Sequence, residues 1–230
     1  MTTSADLSTA LGDLLPAALG VAISPVPIIA TVLMLLSKRA RVTAPAFAVG
    51  WMLGTTLVLV VVLLLAGPDG IDTGGSSDLT GWIKLVLGLL FLLLAAHTWR
   101  GRPRPGQDVV PPKWMSGLDR TPPLVALGLG AALSGLNPKN LALAVTGGVA
   151  IASNGLDTTE SVIAVVVFVL IASTLVVGPV VAFLVAGDRM AHPLNALKDF
   201  MEVHNSAIMV VLLGVLGLSS LGKGLGALLG

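Results

Sequence analysis

Two short stretches decide the fold: residues 22–27 read Ala-Ile-Ser-Pro-Val-Pro, and residues 135–140 read Gly-Leu-Asn-Pro-Lys-Asn. Each stretch lies inside a long apolar run. A proline inside a helix removes a backbone N–H and clashes with the carbonyl four residues earlier, so both runs should break at Pro25 and Pro138. Ser24 and Asn137 are good N-cap residues for a helix that restarts at the proline. The pattern predicts two apolar segments that are each divided into two half-helices.

The composition is that of an integral membrane protein. Of the 230 residues, 55% are hydrophobic and 11% are charged, whereas a soluble domain carries about 25% charged residues. The apolar runs are continuous, which favours helices over the alternating strands of a barrel. The lack of cysteine excludes disulfides and thiolate metal sites, and the net charge of +1 argues against a nucleic-acid partner. We expect no enzyme activity, no cofactor and no metal.

Six runs are long enough to cross a membrane; they are residues 11–36, 43–66, 80–99, 123–152, 160–186 and 203–222. Ten of the 13 basic residues fall in connections that share one face. We call this the basic face, and its connections are residues 37–42, 100–122 and 187–202. The positive-inside rule places the basic face in the cytoplasm. We therefore expect a multi-pass protein of the inner (plasma) membrane with both termini outside.

A Pro-rich stretch, residues 101–122, predicts a cytoplasmic linker between two halves. The halves are residues 1–100 and 123–230, with three spans each. Because three is odd, the second half enters the membrane from the opposite side, and similarity between the halves implies an inverted repeat. The predicted fold is an all-α polytopic membrane protein with six transmembrane helices in two inverted three-helix repeats, helices one and four being broken.

The two breaks would place half-helix N-termini in the middle of the membrane, where free N–H groups and the positive dipole end favour an anion. Lys139 adds a charge at a depth where an ammonium is costly unless it faces the protein interior or water. The predicted substrate-binding residues are Ser24, Pro25, Pro27, Asn137, Pro138, Lys139 and Asn140. The alternative is that the prolines only kink the helices and that Lys139 reaches toward a nearby interface.

Other motifs have a functional and a structural interpretation. Four hydroxyl residues could line a pathway or bond back to their own helices; they are Thr55, Thr56, Ser173 and Thr174. His97 and His204 could gate transport or simply lie at the interface. Gly50 and Gly54 predict close helix packing. Residues 217–224 nearly match a phosphate-binding loop, but Gly224 stands where Ser or Thr is required, so we expect no nucleotide site there.

The six-span layout and the two proline motifs resemble the LysE superfamily of small exporters. Within it, Ser-Pro-Val-Pro at residues 24–27 with Asn-Pro-Lys-Asn at residues 137–140 is most similar to the actinobacterial GAP group, the sulfolipid-addressing or peptidoglycolipid-addressing proteins. The resemblance implies a role in moving envelope glycolipids across or out of the inner membrane. The Pro-Gly-Pro motif of typical amino-acid exporters is not present.

We therefore expect a transporter that binds an anionic or polar-headed envelope glycolipid, or its precursor, where the two broken helices meet. The expected partners are a lipid or polar anionic small molecule, the membrane, and either a second copy of the chain or an envelope-lipid synthesis or export complex. Two alternatives stay open: a small-solute exporter of the amino-acid type, and a non-transporting scaffold for lipid export. A lipid carrier should have a side opening between spans, whereas a solute exporter should have an enclosed polar cavity.

Overall fold

The structure, a computed structural model, describes residues 3–66, 77–102, 117–118 and 120–229. Within these ranges there is no strand, and the predicted all-α class is confirmed. Most of the predicted linker, residues 101–122, lies outside the described residues. A 3-10 helix, Gly187–Met190, joins the last two of the eight described α-helices. These helices, α1 to α8, are Thr3–Ala22, Pro25–Leu35, Ala40–Ala66, Ser77–Arg100, Pro123–Gly135, Pro138–Ala152, Thr158–Ala186 and Ala191–Leu229.

Four of the described helices are long and apolar enough to cross a membrane, namely α3, α4, α7 and α8. The pair α1 and α2 forms a fifth candidate span with a bend of 51° at its break. The predicted span 123–152 is divided into α5, with 13 residues, and α6, with 15 residues. Neither is long enough to cross alone, so the sixth span stays a prediction. The chain is a multi-pass membrane protein.

The two breaks occur where the sequence predicts them, and other prolines show why. Pro16 lies inside α1 and Pro179 inside α7, and both helices continue through them. A proline at these positions follows Leu15 or Gly178, which cannot cap a new helix with a side-chain oxygen. Pro25 and Pro138 instead follow Ser24 and Asn137 and occupy the first helical position. In this chain the two breaks therefore occur at prolines that follow Ser24 and Asn137, whereas α1 and α7 continue through prolines that follow other residues.

The centre of the bundle is formed by α3 and α7, which contact each other and both contact α2 and α6; α7 also contacts α1. Aromatic side chains fill this centre: Phe47 and Trp51 of α3 and Phe168 of α7 are completely buried. The indole Nε1 of Trp51 donates to the Ala172 carbonyl at 3.4 Å. Large aliphatic side chains cover the outside of the bundle, including Leu65 at 83% exposed. Such an apolar surface suits contact with lipid.

Helices α4 and α8 pack with their backbones in contact. Residues 81–92 carry Gly81, Leu85, Gly88 and Leu92, and residues 217–228 carry Gly217, Leu221, Gly224 and Leu228 at the same spacing. A Cβ added at Gly88 would lie 2.8 Å from the Leu221 nitrogen, and one added at Gly224 would lie 2.9 Å from the Leu85 nitrogen. A Cβ added at Gly81 would likewise meet the Leu228 side chain, and one added at Gly217 would meet the Leu92 side chain. We call this reciprocal, antiparallel contact the glycine seam.

A second close contact joins α3 to α5. A Cβ at Gly50 would overlap the Leu127 carbonyl, and a Cβ at Gly54 would lie 2.6 Å from the Ala131 carbonyl. From the other side, a Cβ at Gly130 would overlap the Phe47 carbonyl. The predicted role of Gly50 and Gly54 in close helix packing is confirmed.

Helix α8 is longer than the predicted last span, residues 203–222. Its 39 residues extend about 58 Å at 1.5 Å per residue, and therefore beyond a hydrocarbon core of about 30 Å. The helix continues through the charged residues before residue 203, where Lys198 pairs with Asp199 at 3.0 Å and with Glu202 at 3.4 Å. Near the other end, Lys223 pairs with Asp13 at 2.6 Å. This pair accounts for a basic residue on the predicted outer face.

Candidate functional site

The first break joins α1 to α2 at Ser24. This residue has the extended backbone of an N-cap, with φ −111° and ψ 102°, but its side chain makes no capping hydrogen bond. The prediction that the Ser24 side chain caps α2 is therefore wrong. Its Oγ is turned away from the helix toward two side chains of α6, which offer a charged donor and an amide acceptor.

The second break joins α5 to α6 at Asn137. Its backbone has φ −68° and ψ 119°, and its side chain accepts a hydrogen bond from the Lys139 nitrogen at 3.1 Å. The Asn137 carbonyl accepts from the Leu141 nitrogen at 2.8 Å. The prediction that Asn137 caps α6 is confirmed. Pro138 has no N–H, and the Lys139 N–H is bound by the Asn137 side chain. The Asn140 N–H is therefore the one in this first turn that is left for another partner.

Three buried polar side chains link the two breaks. Lys139 Nζ donates to Ser24 Oγ at 2.7 Å, and Ser24 Oγ donates to Asn140 Oδ1 at 2.8 Å. Their exposed fractions are 8% for Lys139, 3% for Ser24 and 0% for Asn140. The structure thus brings together the polar residues predicted from both motifs, although they are more than a hundred positions apart in the chain.

The same side chains bind carbonyls at the ends of the preceding half-helices. Lys139 Nζ donates to the Ile23 carbonyl at 3.2 Å, just after α1. Asn140 Nδ2 donates to the Leu133 carbonyl at 3.0 Å, in the last turn of α5. The sequence motifs do not point to Ile23 or Leu133, because these two residues contribute backbone carbonyls and a motif identifies side chains. The signal was nevertheless present, since the last carbonyls of any helix lack intrahelical donors and need partners.

The N-terminus of α2 offers fewer free N–H groups than the two-break hypothesis assumes. Pro25 and Pro27 have no N–H, and the Ile28 nitrogen donates to the Ser24 carbonyl at 3.2 Å. In this first turn, the Val26 N–H is the one left for another partner. An anion at the junction would therefore depend mainly on the Lys139 side chain rather than on N–H groups of α2.

The amino group of Lys139 has no carboxylate partner among the described residues. None of the ion pairs among the described residues includes it, and both of its described hydrogen-bond acceptors are neutral oxygens. An ammonium has three N–H donors, and the bonds to Ile23 and Ser24 use two of them. A buried ammonium without a counter-charge is costly, so an anionic ligand would stabilise the protonated form of Lys139.

The second break lies at the outer surface of the bundle. Leu136 is 77% exposed, and Pro138 is exposed as well, whereas the next two residues, Lys139 and Asn140, are buried. The first break is different, because Ser24 and Pro25 are both buried. The polar side chains thus lie directly behind a surface-exposed interruption between α5 and α6.

The proposed pathway residues divide into two groups. Thr55, Thr56 and Thr174 donate to carbonyls of their own helices at 3.0, 2.8 and 2.8 Å, as the structural interpretation predicts. Ser173 Oγ is buried and has no hydrogen-bond partner among the described residues. A pathway lined by these four hydroxyls stays a prediction.

The remaining motifs contribute no second polar site to the described residues. The His204 ring stacks on Phe200 with centroids 4.4 Å apart, and its Nδ1 lies 2.9 Å from the Phe200 carbonyl. No group of three or more His, Cys, Asp or Glu is close enough to hold a metal within the ranges described. Residues 217–224 are helical throughout and form part of the glycine seam, so they do not form a phosphate-binding loop.

Comparison with known proteins identifies the family. A search of curated proteins and a search of solved structures each found no match to this chain. The family model described as Sap, sulfolipid-1-addressing protein, matches residues 14–226. This match includes both breaks, the polar side chains that link them, and all of the glycine seam except Leu228. The chain therefore belongs to the sulfolipid-1-addressing protein family.

Proposed function

We propose that this chain is a six-span transporter that moves an anionic envelope glycolipid, or its precursor, across the inner membrane. The head group would bind at the junction of the two breaks, and both termini would lie outside. The family and the apolar helices support a membrane protein of lipid trafficking. The mechanism proposed below rests on the geometry of Lys139.

Most of the contacts between helices support two inverted repeats, although the extensive contact of α1 with α6 has no comparable counterpart between α5 and α2. If α1 to α4 correspond to α5 to α8 in order, exchanging the halves should exchange the contacts. The contact of α3 with α5 corresponds to that of α7 with α1. Likewise, the contact of α3 with α6 corresponds to that of α7 with α2, and the contact of α2 with α8 to that of α6 with α4. The correspondence pairs both broken segments, α1–α2 with α5–α6.

The glycine seam supports the same symmetry at residue level. Under the correspondence of α4 with α8, Gly88 corresponds to Gly224 and Leu85 to Leu221. The contact of Gly88 with Leu221 then maps onto the contact of Gly224 with Leu85, with nearly equal distances. Residue numbers rise along α4 as they fall along its contacts on α8, so the two helices are antiparallel, as an inverted repeat requires.

One observation carries the proposal: a buried cation without a carboxylate lies behind an exposed break. A lipid carrier must admit a polar head group from the side while the acyl chains stay in the membrane. The exposed Leu136 and Pro138 lie on that side, and Lys139 is the next residue inward. The geometry therefore favours a lipid over a small solute, which needs no access from the membrane.

In the proposed binding step, Lys139 Nζ exchanges its neutral partners for an anionic group of the cargo. Phosphate, sulfate or carboxylate would replace the Ile23 carbonyl and Ser24 Oγ as acceptors, because hydrogen bonds between charged groups are roughly twice as strong. Asn140 would keep its bond to the Leu133 carbonyl and hold the end of α5 in place. The Val26 N–H would be free to donate to the same head group, and the Ser24 hydroxyl would donate to it after releasing Asn140 Oδ1.

The test is transport by purified protein in liposomes that contain a fluorescent sulfated glycolipid, with movement between leaflets followed by chemical quenching. Lys139→Met removes the charge and keeps the stem, so we expect transport to fall to the rate of protein-free liposomes. Lys139→Arg should restore part of the rate, because the charge is kept and the geometry changes. Lys84→Met, the same change near a span end, is the matched control and should leave transport unchanged.

Wild-type transport by Lys139→Met would refute the role of this side chain. Transport of a fluorescent amino acid in preference to the glycolipid would favour the solute exporter. If the purified wild-type protein moves neither compound, while cells that lack it fail to display the glycolipid, the scaffold is the better explanation.

The second test concerns the break itself. Pro138→Ala restores a backbone N–H and helix propensity at the exposed end of the break. We expect transport to fall while the yield of folded protein holds or rises. Full activity with a continuous helix across residues 135–140, measured by hydrogen exchange, would show that the break is only a packing kink.

A further inference from the structure

A second charged region lies away from Lys139, at the opposite end of α2. A pocket of about 530 Å³ opens where α2 ends and α3 begins. It is lined by Ser37, Lys38, Arg39, Ala40, Arg41, Val42, Pro123 and Phe183. The connection 37–42 on the basic face thus meets the start of α5 and the last turn of α7. We call the pocket between these segments the basic pocket.

The polypeptide of the basic pocket is held in a fixed turn. Ser37 Oγ donates to the Met34 carbonyl at 2.7 Å and accepts from the Arg39 nitrogen at 3.3 Å. The Ala40 nitrogen donates to the Ser37 carbonyl at 3.2 Å, and Thr43 Oγ1 donates to the Arg39 carbonyl at 3.0 Å. These bonds bridge the end of α2 and the start of α3. The basic side chains therefore project from a pre-organised backbone.

No acidic side chain among the described residues pairs with the basic side chains of the pocket. Lys38, Arg39 and Arg41 are exposed, and no Asp or Glu lines the pocket. None of the ion pairs in the described part of the chain includes these three residues. The helices α3 and α5 both begin here, so their positive dipole ends add to the same potential. Three cations and two helix N-termini are suited to a phosphate group.

The other side of the pocket is apolar and continues onto the surface that faces lipid. Phe183 and Pro123 form the wall, and Val42 at its rim is 57% exposed. Close to these residues in the chain, Leu124 is 79% exposed and Val185 is 84% exposed. A free phosphate ion would leave this apolar wall unused, whereas a phospholipid would place acyl chains against it.

We propose that the basic pocket is a binding site for the phosphate of an anionic glycerophospholipid, separate from the junction at Lys139. The guanidinium groups of Arg39 and Arg41 bind the phosphate oxygens, and Lys38 adds charge at the rim. The acyl chains lie along Val42, Phe183 and the aliphatic surface of α5 and α7. Basic pockets between membrane helices on the cytoplasmic side bind anionic head groups in this way. The proposal does not depend on transport.

The experiment measures lipid binding to the full-length protein in a neutral detergent by native mass spectrometry. The probes are phosphatidylglycerol, phosphatidylcholine and inorganic phosphate. One variant carries Lys38→Gln, Arg39→Gln and Arg41→Gln. The matched control removes three charges from the same face outside the pocket, with Arg100→Gln, Arg102→Gln and Arg189→Gln. Lys139→Met is measured in parallel.

We expect the wild type to prefer phosphatidylglycerol over phosphatidylcholine. Each basic residue near a membrane surface is worth about a fivefold change in binding, so the pocket variant should bind phosphatidylglycerol about a hundredfold more weakly. The three-charge control and Lys139→Met should keep most of the wild-type affinity.

Equal binding of both lipids, or equal losses in the pocket variant and its control, would overturn the proposal. Displacement of the lipid by an equal concentration of inorganic phosphate would overturn the lipid as the occupant. Loss of the lipid in Lys139→Met alone would place it at the junction instead.

Discussion

Substituting alanine for the two central glycines of the seam tests both the packing and the symmetry of the fold. In Gly88→Ala the new methyl group would lie 2.8 Å from the Leu221 nitrogen, and in Gly224→Ala it would lie 2.9 Å from the Leu85 nitrogen. Both obstacles are backbone atoms, which cannot rotate away as a side-chain end can. The helices α4 and α8 must therefore separate to admit either methyl group.

The expected cost is set by two opposing effects. Overpacking of a close contact costs about 1 to 3 kcal/mol, while alanine in place of glycine gains about 1 kcal/mol of helix propensity. Gly222→Ala, on α8 with nothing within 4 Å of its Cβ position, is the control and should show the gain alone. We therefore expect Gly88→Ala and Gly224→Ala each to be about 2 kcal/mol less stable than Gly222→Ala.

The assay is reversible unfolding in mixed micelles, followed by circular dichroism, with all three variants in the same detergent. The double variant should lose less than the sum of the two single losses, because helices already separated by one methyl group accommodate the second more easily. If both seam variants are as stable as Gly222→Ala, the backbones are not in contact. A large loss in one variant and none in the other would refute the two-fold relation between α4 and α8.

Three further predictions concern orientation, capping and an unpaired hydroxyl. The chain has no cysteine, so Thr159→Cys should react with an impermeant reagent in intact cells and Gly101→Cys only after permeabilisation; the opposite pattern would reverse the topology. Asn137→Ala removes the cap of α6 and should lower the free energy of unfolding by about 1 kcal/mol, with Asn195→Ala on the exposed part of α8 as a smaller reference. Ser173→Ala should leave the free energy of unfolding unchanged or raise it by up to about 1 kcal/mol, since the Ser173 hydroxyl has no partner among the described residues. A clear loss of stability or transport in that variant would mean that the hydroxyl has a partner in the working protein.

The helix breaks could be predicted from sequence because their causes are local. A proline at the first helical position and a capping residue before it act within one turn, so Pro138 and Asn137 indicate a break wherever the rest of the chain lies. The number of helices and the ends of α8 were harder to predict. Lys198 and Glu202 end the apolar run in a hydropathy profile, but charged residues that pair at i and i+4 are compatible with a helix that continues through them.

The partners within the site could not be predicted, because they depend on tertiary contacts. Ser24 looks like a cap in isolation, but its hydroxyl is drawn away by Lys139 and Asn140, which come close to it in the folded protein. The Leu133 carbonyl becomes part of the junction because Asn140 reaches back across the α5–α6 break. The basic pocket was missed for the same reason, since its lining comes from three separate parts of the chain.

The glycine seam also limits how the protein can move. Two helices in contact at their backbones cannot rotate about their axes without driving Leu85 or Leu221 into a neighbouring main chain. We therefore expect α4 and α8 to act as a rigid frame, while the half-helices on either side of the two breaks tilt against it. Distances between spin labels on α4 and α8 should stay constant when an anionic lipid is added, and those between labels on α2 and α6 should change. A changed distance across the seam would show that the frame itself opens.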